Sequence, residues 1–337
     1  MSMQAVSKQE IAKEIEACER VSEARAKIKK EISKRIIGQD SVVDKFLATL
    51  LASGHALLIG VPGLAKTTLI QTLAGCLDLK FSRIQFTPDL MPSDIIGTEV
   101  LEEDRATGKR LFKFVPGPVF ANIILADEIN RTPPKTQAAL LEAMQELKVT
   151  VAGVTYQLER PFHVFATQNP IEQEGTYPLP EAQLDRFMLS VPIEYPSFED
   201  EVKIAKLTSS EYLGTVQKVL SPSDIISLQA LVLRVPASDH IARLSVTLVR
   251  RTRPSDPDAP KMVKNYVAYG AGTRAAQHLM LLAKANALLS GHFVVTPEDV
   301  KAMVVPCLSH RILMNFHAQA DAVTPKMILE HLINHLF

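Results

Sequence analysis

The sequence predicts an α/β fold, a parallel sheet sandwiched by helices and followed by an all-helical domain, and three stretches carry that expectation. The apolar run Ala56-Leu57-Leu58-Ile59 passes directly into Gly60-Val61-Pro62-Gly63-Leu64-Ala65-Lys66-Thr67-Thr68 and then into a helix-like segment. Asn122-Ile123-Ile124-Leu125-Ala126-Asp127-Glu128 reads as a buried parallel strand that ends in two carboxylates. After Tyr195-Pro196-Ser197-Phe198 no strand alternation is convincing, and helical periodicity takes over.

A strand, a glycine-containing loop and a helix in that order make a phosphate cradle. Successive backbone N–H groups and the helix N-terminus, from Gly60 to Thr68, would bind a polyphosphate, Lys66 would reach its terminal oxygens, and the hydroxyl of Thr67 would ligate Mg²⁺. The strict pattern wants glycine before the lysine, where Ala65 stands. A helix-entering residue with φ below zero is expected there, and alanine in that conformation still donates its N–H. The same letters also suit a structural Gly/Pro turn.

The carboxylate pair at the end of the second strand divides the chemistry. Asp127 suits Mg²⁺ held through its water shell, and Glu128 suits polarising water toward a γ-phosphate. A third strand, His163 to Gln168, ends in Asn169, whose amide can position the same water. Standing alone, an acidic pair is commonly a helix cap or a solvated turn. Behind a phosphate loop the reactive reading is the stronger one.

These segments, with Asp127-Glu128-Ile129-Asn130-Arg131, Ala166-Thr167-Gln168-Asn169-Pro170 and Leu179 to Phe187, come in the order and at about the spacing of MoxR-type AAA+ ATPases, which the chain resembles. Phe86-Thr87-Pro88-Asp89-Leu90-Met91-Pro92-Ser93-Asp94 is similar to a segment that marks the MoxR group, and Ala65 is similar to its form of the loop. The likeness runs from about Ile36 to the C-terminus and weakens after Ser197. It implies an AAA+ P-loop domain with a helical lid, assembled as a hexameric ring that binds ATP and Mg²⁺. It implies an arginine finger at Arg186, acting in the neighbouring subunit, and a γ-phosphate contact from Arg274 in Gly270-Ala271-Gly272-Thr273-Arg274-Ala275. Family members commonly have Ser-Pro before that arginine, where this chain has Gly272-Thr273. The output it implies is remodelling or maturation of a protein client, beside partners with von Willebrand factor A-type domains.

Along the chain, Ile11, Ile15, Cys18, Val21, Ile28, Ile32 and Ile36 recur at helical steps, an amphipathic helix over residues 1–35 expected to cover the sheet edge. Ile36-Ile37-Gly38-Gln39-Asp40 opens the nucleotide-binding domain, residues 36–196, and the resemblance implies that Ile37 and Gly38 pack against adenine. A helix to about Leu77 and a strand over Ser82–Phe86 follow. The polar turn Glu102 to Lys109 between apolar flanks is similar to the MoxR insertion in the second helix, and Lys148 to Leu158 alternates around Gly153 as a β-hairpin. By the resemblance, both project into the pore of the ring. The lid is expected over residues 197–337, with helix starts at Ser223-Asp224 and Thr296-Pro297-Glu298-Asp299 and a proline-rich loop from Arg253 to Pro260. His331 and His335 stand four apart, but Leu332 replaces the glutamate a zinc-protease motif needs.

Composition limits the alternatives. At 337 residues and 47% apolar the chain suits about two packed domains. Its 37 basic residues balance 37 acidic ones, which removes the electrostatic case for nucleic acid or an anionic membrane as main partner. The clusters Lys27–Arg35 and Arg250–Arg253 read as solvated helix faces. Three scattered cysteines, a polar first stretch and no long apolar run imply neither disulfides nor a membrane span, and a cytoplasmic protein is expected. A DNA-translocating AAA+ motor shares the insertion and the hairpin, although the hairpin's one basic residue is Lys148. A small-molecule kinase shares the loop but has little use for Asp127-Glu128, Asn169 and a trans arginine together.

Overall fold

The computed structural model describes residues 8–103, 110–171, 175–208 and 214–337, and the side chains of Ile11 and Ile15 and the Asp104–Lys109 part of the polar turn lie outside them. Five parallel strands form the central sheet: β1 (Ala56–Ile59), β2 (Phe81–Gln85), β5 (Ile123–Asp127), β8 (His163–Gln168) and β9 (Leu189–Pro192), in the order β2-β5-β8-β1-β9. The middle strands β5, β8 and β1 are near-continuous apolar runs because helices cover both faces. Parallel pairing brings the carboxyl ends of all five strands to one edge.

Two antiparallel hairpins stand off this layer: β3 (Gly97–Glu103) with β4 (Arg110–Pro116), and β6 (Lys148–Val151) with β7 (Val154–Gln157). The second turns through Ala152 and Gly153, both at positive φ, as a two-residue hairpin requires. Phe114 stacks on Tyr156 with ring centroids 4.0 Å apart, so the two hairpins are joined at their bases. Beyond that contact the cross-strand pair Leu101 and Phe112 is exposed.

On the sheet domain lie α1 (Lys8–Ile32), α2 (Asp40–Leu51), α3 (Lys66–Cys76), α4 (Pro92–Ile96), α5 (Pro134–Glu146) and α6 (Glu181–Leu184). The Phe86–Asp94 segment is held down by the hydroxyls of Thr132 and Thr136, which donate to the carbonyls of Thr87 and Leu90. After β9 the helical second half comprises α7 (Phe198–Thr208), α8 (Pro222–Arg234), α9 (Asp239–Arg251), α10 (Lys261–Tyr266), α11 (Thr273–Leu289), α12 (Pro297–Leu308), α13 (Phe316–Ala320) and α14 (Pro325–Leu336). A short ribbon, β10 (Val267–Tyr269) with β11 (Leu313–Met314), is an addition to its helical architecture.

Two expectations are corrected here. The first helix does not act as a cover for a sheet edge: Cys18, Val21, Ile28 and Ile32 bury its apolar stripe against α2, α3 and the lid helix α11. Arg25 marks the junction, pairing with Asp44 of α2 at 2.7 Å and donating to the Leu289 carbonyl of α11. The cap of α8 is Ser221, whose hydroxyl accepts from the Asp224 N–H, rather than Ser223. Proline at the first helical position accounts for the shift, since it leaves the residue before it as the cap. At α12 the Thr296–Asp299 capping box forms as expected.

His55 and His163 sit in the sheet core. His55 Nδ1 accepts the Val164 N–H and its Nε2 faces the Met144 carbonyl at 3.2 Å, while His163 Nδ1 faces the Gly54 carbonyl at 2.8 Å. Burial holds His55 down to about 3 and His163 to about 4. Both folded values lie below the ordinary imidazole value of about 6.5, so below that pH the unfolded chain takes up more protons than the folded one. Stability from these rings is full above about pH 6.5 and is lost as the pH falls toward their folded values. Thermal unfolding should therefore show a midpoint that drops steadily between about pH 6.5 and 5, and a flat profile there would contradict neutral burial.

Candidate active site

The loop after β1 is shaped by two glycines and an alanine. A Cβ on Gly60 would meet the Ile193 carbonyl oxygen at 2.9 Å, so only glycine lets the loop leave β1 beside β9. Gly63 has φ +85°. Ala65, expected at negative φ, instead has φ +52° in the left-handed region, the conformation that makes glycine the commoner residue there. The strain is on the order of 1 kcal/mol and is carried by the α3 N-terminus that follows. Lys66 turns back to donate to the carbonyls of Gly60 at 2.7 Å and Val61 at 3.2 Å. Burial lowers its pKa, and the facing carboxylates Asp127 and Glu128 oppose that.

Strand register assembles the opposite wall. Gln85 of β2 lies opposite Asp127 of β5, and Thr167 of β8 flanks it on the other side. Thr167 Oγ1 donates to Asp127 Oδ1 at 2.7 Å and accepts the Glu128 N–H at 2.8 Å, so one hydroxyl orients both acidic residues. Glu128 has φ +58°, a second left-handed residue at the site. Its Oε2 accepts from Gln85 Nε2 at 2.7 Å and lies 3.2 Å from Arg131. Asp127 Oδ2 accepts from Arg83 Nη2 at 2.6 Å and Nε at 3.1 Å. Asn169 is buried beyond β8, its Oδ1 accepting the Ile171 N–H at 3.2 Å.

Pro62, Gly63, Leu64, Ala65, Lys66, Thr67, Thr68, Asp127, Glu128 and Asn169 thus line one cleft of about 480 Å³, together with Arg83 and Gln85. Ile37 and Gly38 line a separate hollow of about 290 Å³ with Asp40, Val43, Asp200 and Lys203. A third hollow, of about 480 Å³, is formed by α9 and its following loop alone and lacks these groups. His335 Nδ1 faces the His331 carbonyl at 2.8 Å and the two ring centroids lie 4.2 Å apart, and no cluster able to hold a metal occurs among the described residues.

The family model described as ATPase family associated with various cellular activities matches residues 55–189, and an AAA lid domain model matches residues 259–332. Chaperone MoxR1 of Mycobacterium tuberculosis is 41% identical over 303 residues, 90% of this chain and 79% of that protein. The YeaC protein of Bacillus subtilis is 41% identical, covering 90% and 91%. The chain belongs to the MoxR-type AAA+ ATPases. A solved structure from Cytophaga hutchinsonii, provisionally named an ATPase, shares its fold with a TM-score of 0.85 at 43% identity, covering 94% and 96%. Nucleotide binding by this MoxR-type chain follows from its family.

The two arginines expected to act on the nucleotide lie outside the cleft lining. Arg186 donates to the Leu141 carbonyl of α5 at 2.8 Å. Arg274, at the start of α11, pairs with Asp185 at 3.1 Å. The same carboxylate takes Arg311 at 2.8 Å, and Arg311 also donates to the carbonyls of Asp185, Phe187, Met188 and Cys307. Its Nη2 faces His278 Nδ1, and burial beside this cation depresses His278 to about 4. The lid is therefore stapled to the turn that carries Arg186.

Arg83, Gln85, Thr167, Asp185 and Arg311 were missed by sequence reasoning. For the first two, an Arg-x-Gln alternation at the end of a strand preceding the acidic strand is the available signal.

Arg311→Met should lower the unfolding free energy by about 3–5 kcal/mol, because several carbonyls lose their buried donor and Asp185 keeps only Arg274 as a charged partner. Arg274→Met, at a half-exposed pair, should cost under about 1 kcal/mol. Denaturant titration of the two variants checks the contrast.

Proposed function

We propose that this MoxR-type protein hydrolyses ATP with Mg²⁺ and uses the cycle to remodel or mature a protein client. The observation that carries the reading is the single cleft in which the phosphate loop with Lys66 and Thr67 faces Asp127, Glu128 and Asn169. Lys66 and the loop amides bind the β- and γ-phosphates, and Glu128 accepts the proton of a water that Asn169 orients. Thr67 and Asp127 are the hard oxygen donors for Mg²⁺, a fit to an ion that keeps most of its waters and takes one or two protein ligands beside the phosphates. When bound, that ion neutralises charge on the phosphate oxygens. Ile37 and Gly38 would receive the adenine.

Arg186 would serve the neighbouring subunit of a hexameric ring, and Arg274 would report nucleotide state through the lid. A protein client, with a von Willebrand factor A-type partner, suits the exposed apolar pair Leu101 and Phe112 on the first hairpin. The cations at the hairpins are paired: Lys113 with Glu102, Arg110 with Glu103 and Lys148 with Glu146. That speaks for protein over DNA among the described residues. Three buried free thiols suit the reducing cytoplasm, and no helix among the described residues is long and apolar enough to cross a membrane.

Lys66→Ala should abolish tight nucleotide binding, whereas Glu128→Gln should bind ATP and leave it intact; turnover by Glu128→Gln at the wild-type rate would move the base to another residue. Arg186→Ala should bind ATP yet lose about 10³- to 10⁵-fold in hydrolysis. Mixing it with Glu128→Gln should restore part of the activity in a concentration-dependent way. Absence of recovery in samples shown to co-assemble would leave Arg186 as a residue of its own subunit.

A further inference from the structure

Arg83 is a cation built into the wall of the cleft, and it holds the carboxylate proposed above as a metal ligand. It stands two residues before Gln85 on β2, hence on the same face of the strand, and the β2–β5 register turns that face toward Asp127. Both Nη2 and Nε of Arg83 converge on one oxygen, Asp127 Oδ2, at 2.6 and 3.1 Å. The other oxygen is engaged by Thr167 at 2.7 Å. Asp127 therefore has no oxygen outside the reach of the protein's own donors. The Asp127 side chain is 13% exposed while that of Arg83 is 47% exposed, so Arg83 covers Asp127 from the solvent side. Arg83 Nη2 also donates to Gln85 Oε1, and Gln85 Nε2 in turn holds Glu128.

We propose that Arg83 competes with the divalent cation for Asp127 Oδ2, so that Asp127 is neutralised by one or the other and the guanidinium must swing out when the cation takes that oxygen, directly or through its water. The inference rests on the reading of Asp127 as a metal ligand and adds the competitor. A guanidinium suits the part: it stays charged at any working pH, and its fork makes two bonds to one carboxylate while its flexible stem allows withdrawal into the open cleft. Withdrawal removes Arg83 from Gln85 as well, which loosens the side chain that fixes Glu128. Arrival of the cation and freeing of the water-activating carboxylate are then linked through two residues of β2.

The test is the Mg²⁺ dependence of nucleotide binding by the full chain, read with a fluorescent ADP so that no turnover intervenes. Removing the competitor should lower the half-saturating Mg²⁺ concentration: Arg83→Ala by about three- to tenfold, as expected for loss of a charge-assisted pair partly screened by solvent. Arg83→Gln should shift it in the same direction and supplies the readout should the alanine variant fold poorly. Arg131→Gln removes an equal charge from the Glu128 side and should give a clearly smaller shift. A half-saturating concentration unchanged or raised in both Arg83 variants overturns the proposal, and so does an equal shift in Arg131→Gln, which would reduce Arg83 to a general field effect. Wild-type protein that binds the ADP without any Mg²⁺ dependence overturns the assignment of Asp127 as well, while a wild-type chain that binds no nucleotide overturns the functional reading itself.

Discussion

The chemistry of this chain depends on the parallel register of β5 between β2 and β8. That register sets Gln85 against Asp127 and places Thr167 at its other flank, so the acidic end of one strand is gripped from both neighbours. A slip of one residue in either pairing would turn the Asp127 side chain to the opposite face of the sheet, away from Lys66, Arg83 and Thr167 alike. The apolar run Ile123–Ala126, buried on both faces, anchors β5 between these neighbours. Core packing and site geometry are in this sense one constraint: the residues that exclude water from the sheet also aim the carboxylates.

The lid is fixed to this frame at the far side of β9. Arg311 gathers one carboxylate and four carbonyls, most of them in the Asp185–Met188 turn, and a guanidinium so fully satisfied in a buried position specifies one docking geometry. Arg274 shares Asp185 from the solvent side at a half-exposed, easily exchanged pair. One contact is thus suited to permanence and the other to change, although both end on the same carboxyl group.

The sheet, the phosphate loop, the acidic strand end and the helical second half were legible in the sequence because each is written in a local pattern: continuous apolar runs, a Gly-containing turn, and 3.6-residue periodicity. The Lys148–Leu158 hairpin was legible for the same reason. The conformation of Ala65 was not, since a left-handed alanine is set by the loop around it and leaves no letter of its own. Nor were Arg83, Thr167 and Arg311, whose importance comes from register and from a contact 126 residues away in sequence. The destination of the first helix was misjudged for a related reason. An amphipathic stripe states that one face is buried but does not name the surface that buries it.

That first helix bears on how the lid can move. α1 is packed on α2 and α3 of the sheet domain and on α11 of the lid, with Cys18 reaching the Leu288 carbonyl and Arg25 spanning both sides. The two domains are consequently joined along a further line besides the Ile193–Phe198 connection and the Arg311 junction. A free swing about any one of them would tear the contacts on the others. A lid that moved on α1 would have to slide packed side chains past one another, a shear rather than an opening jaw.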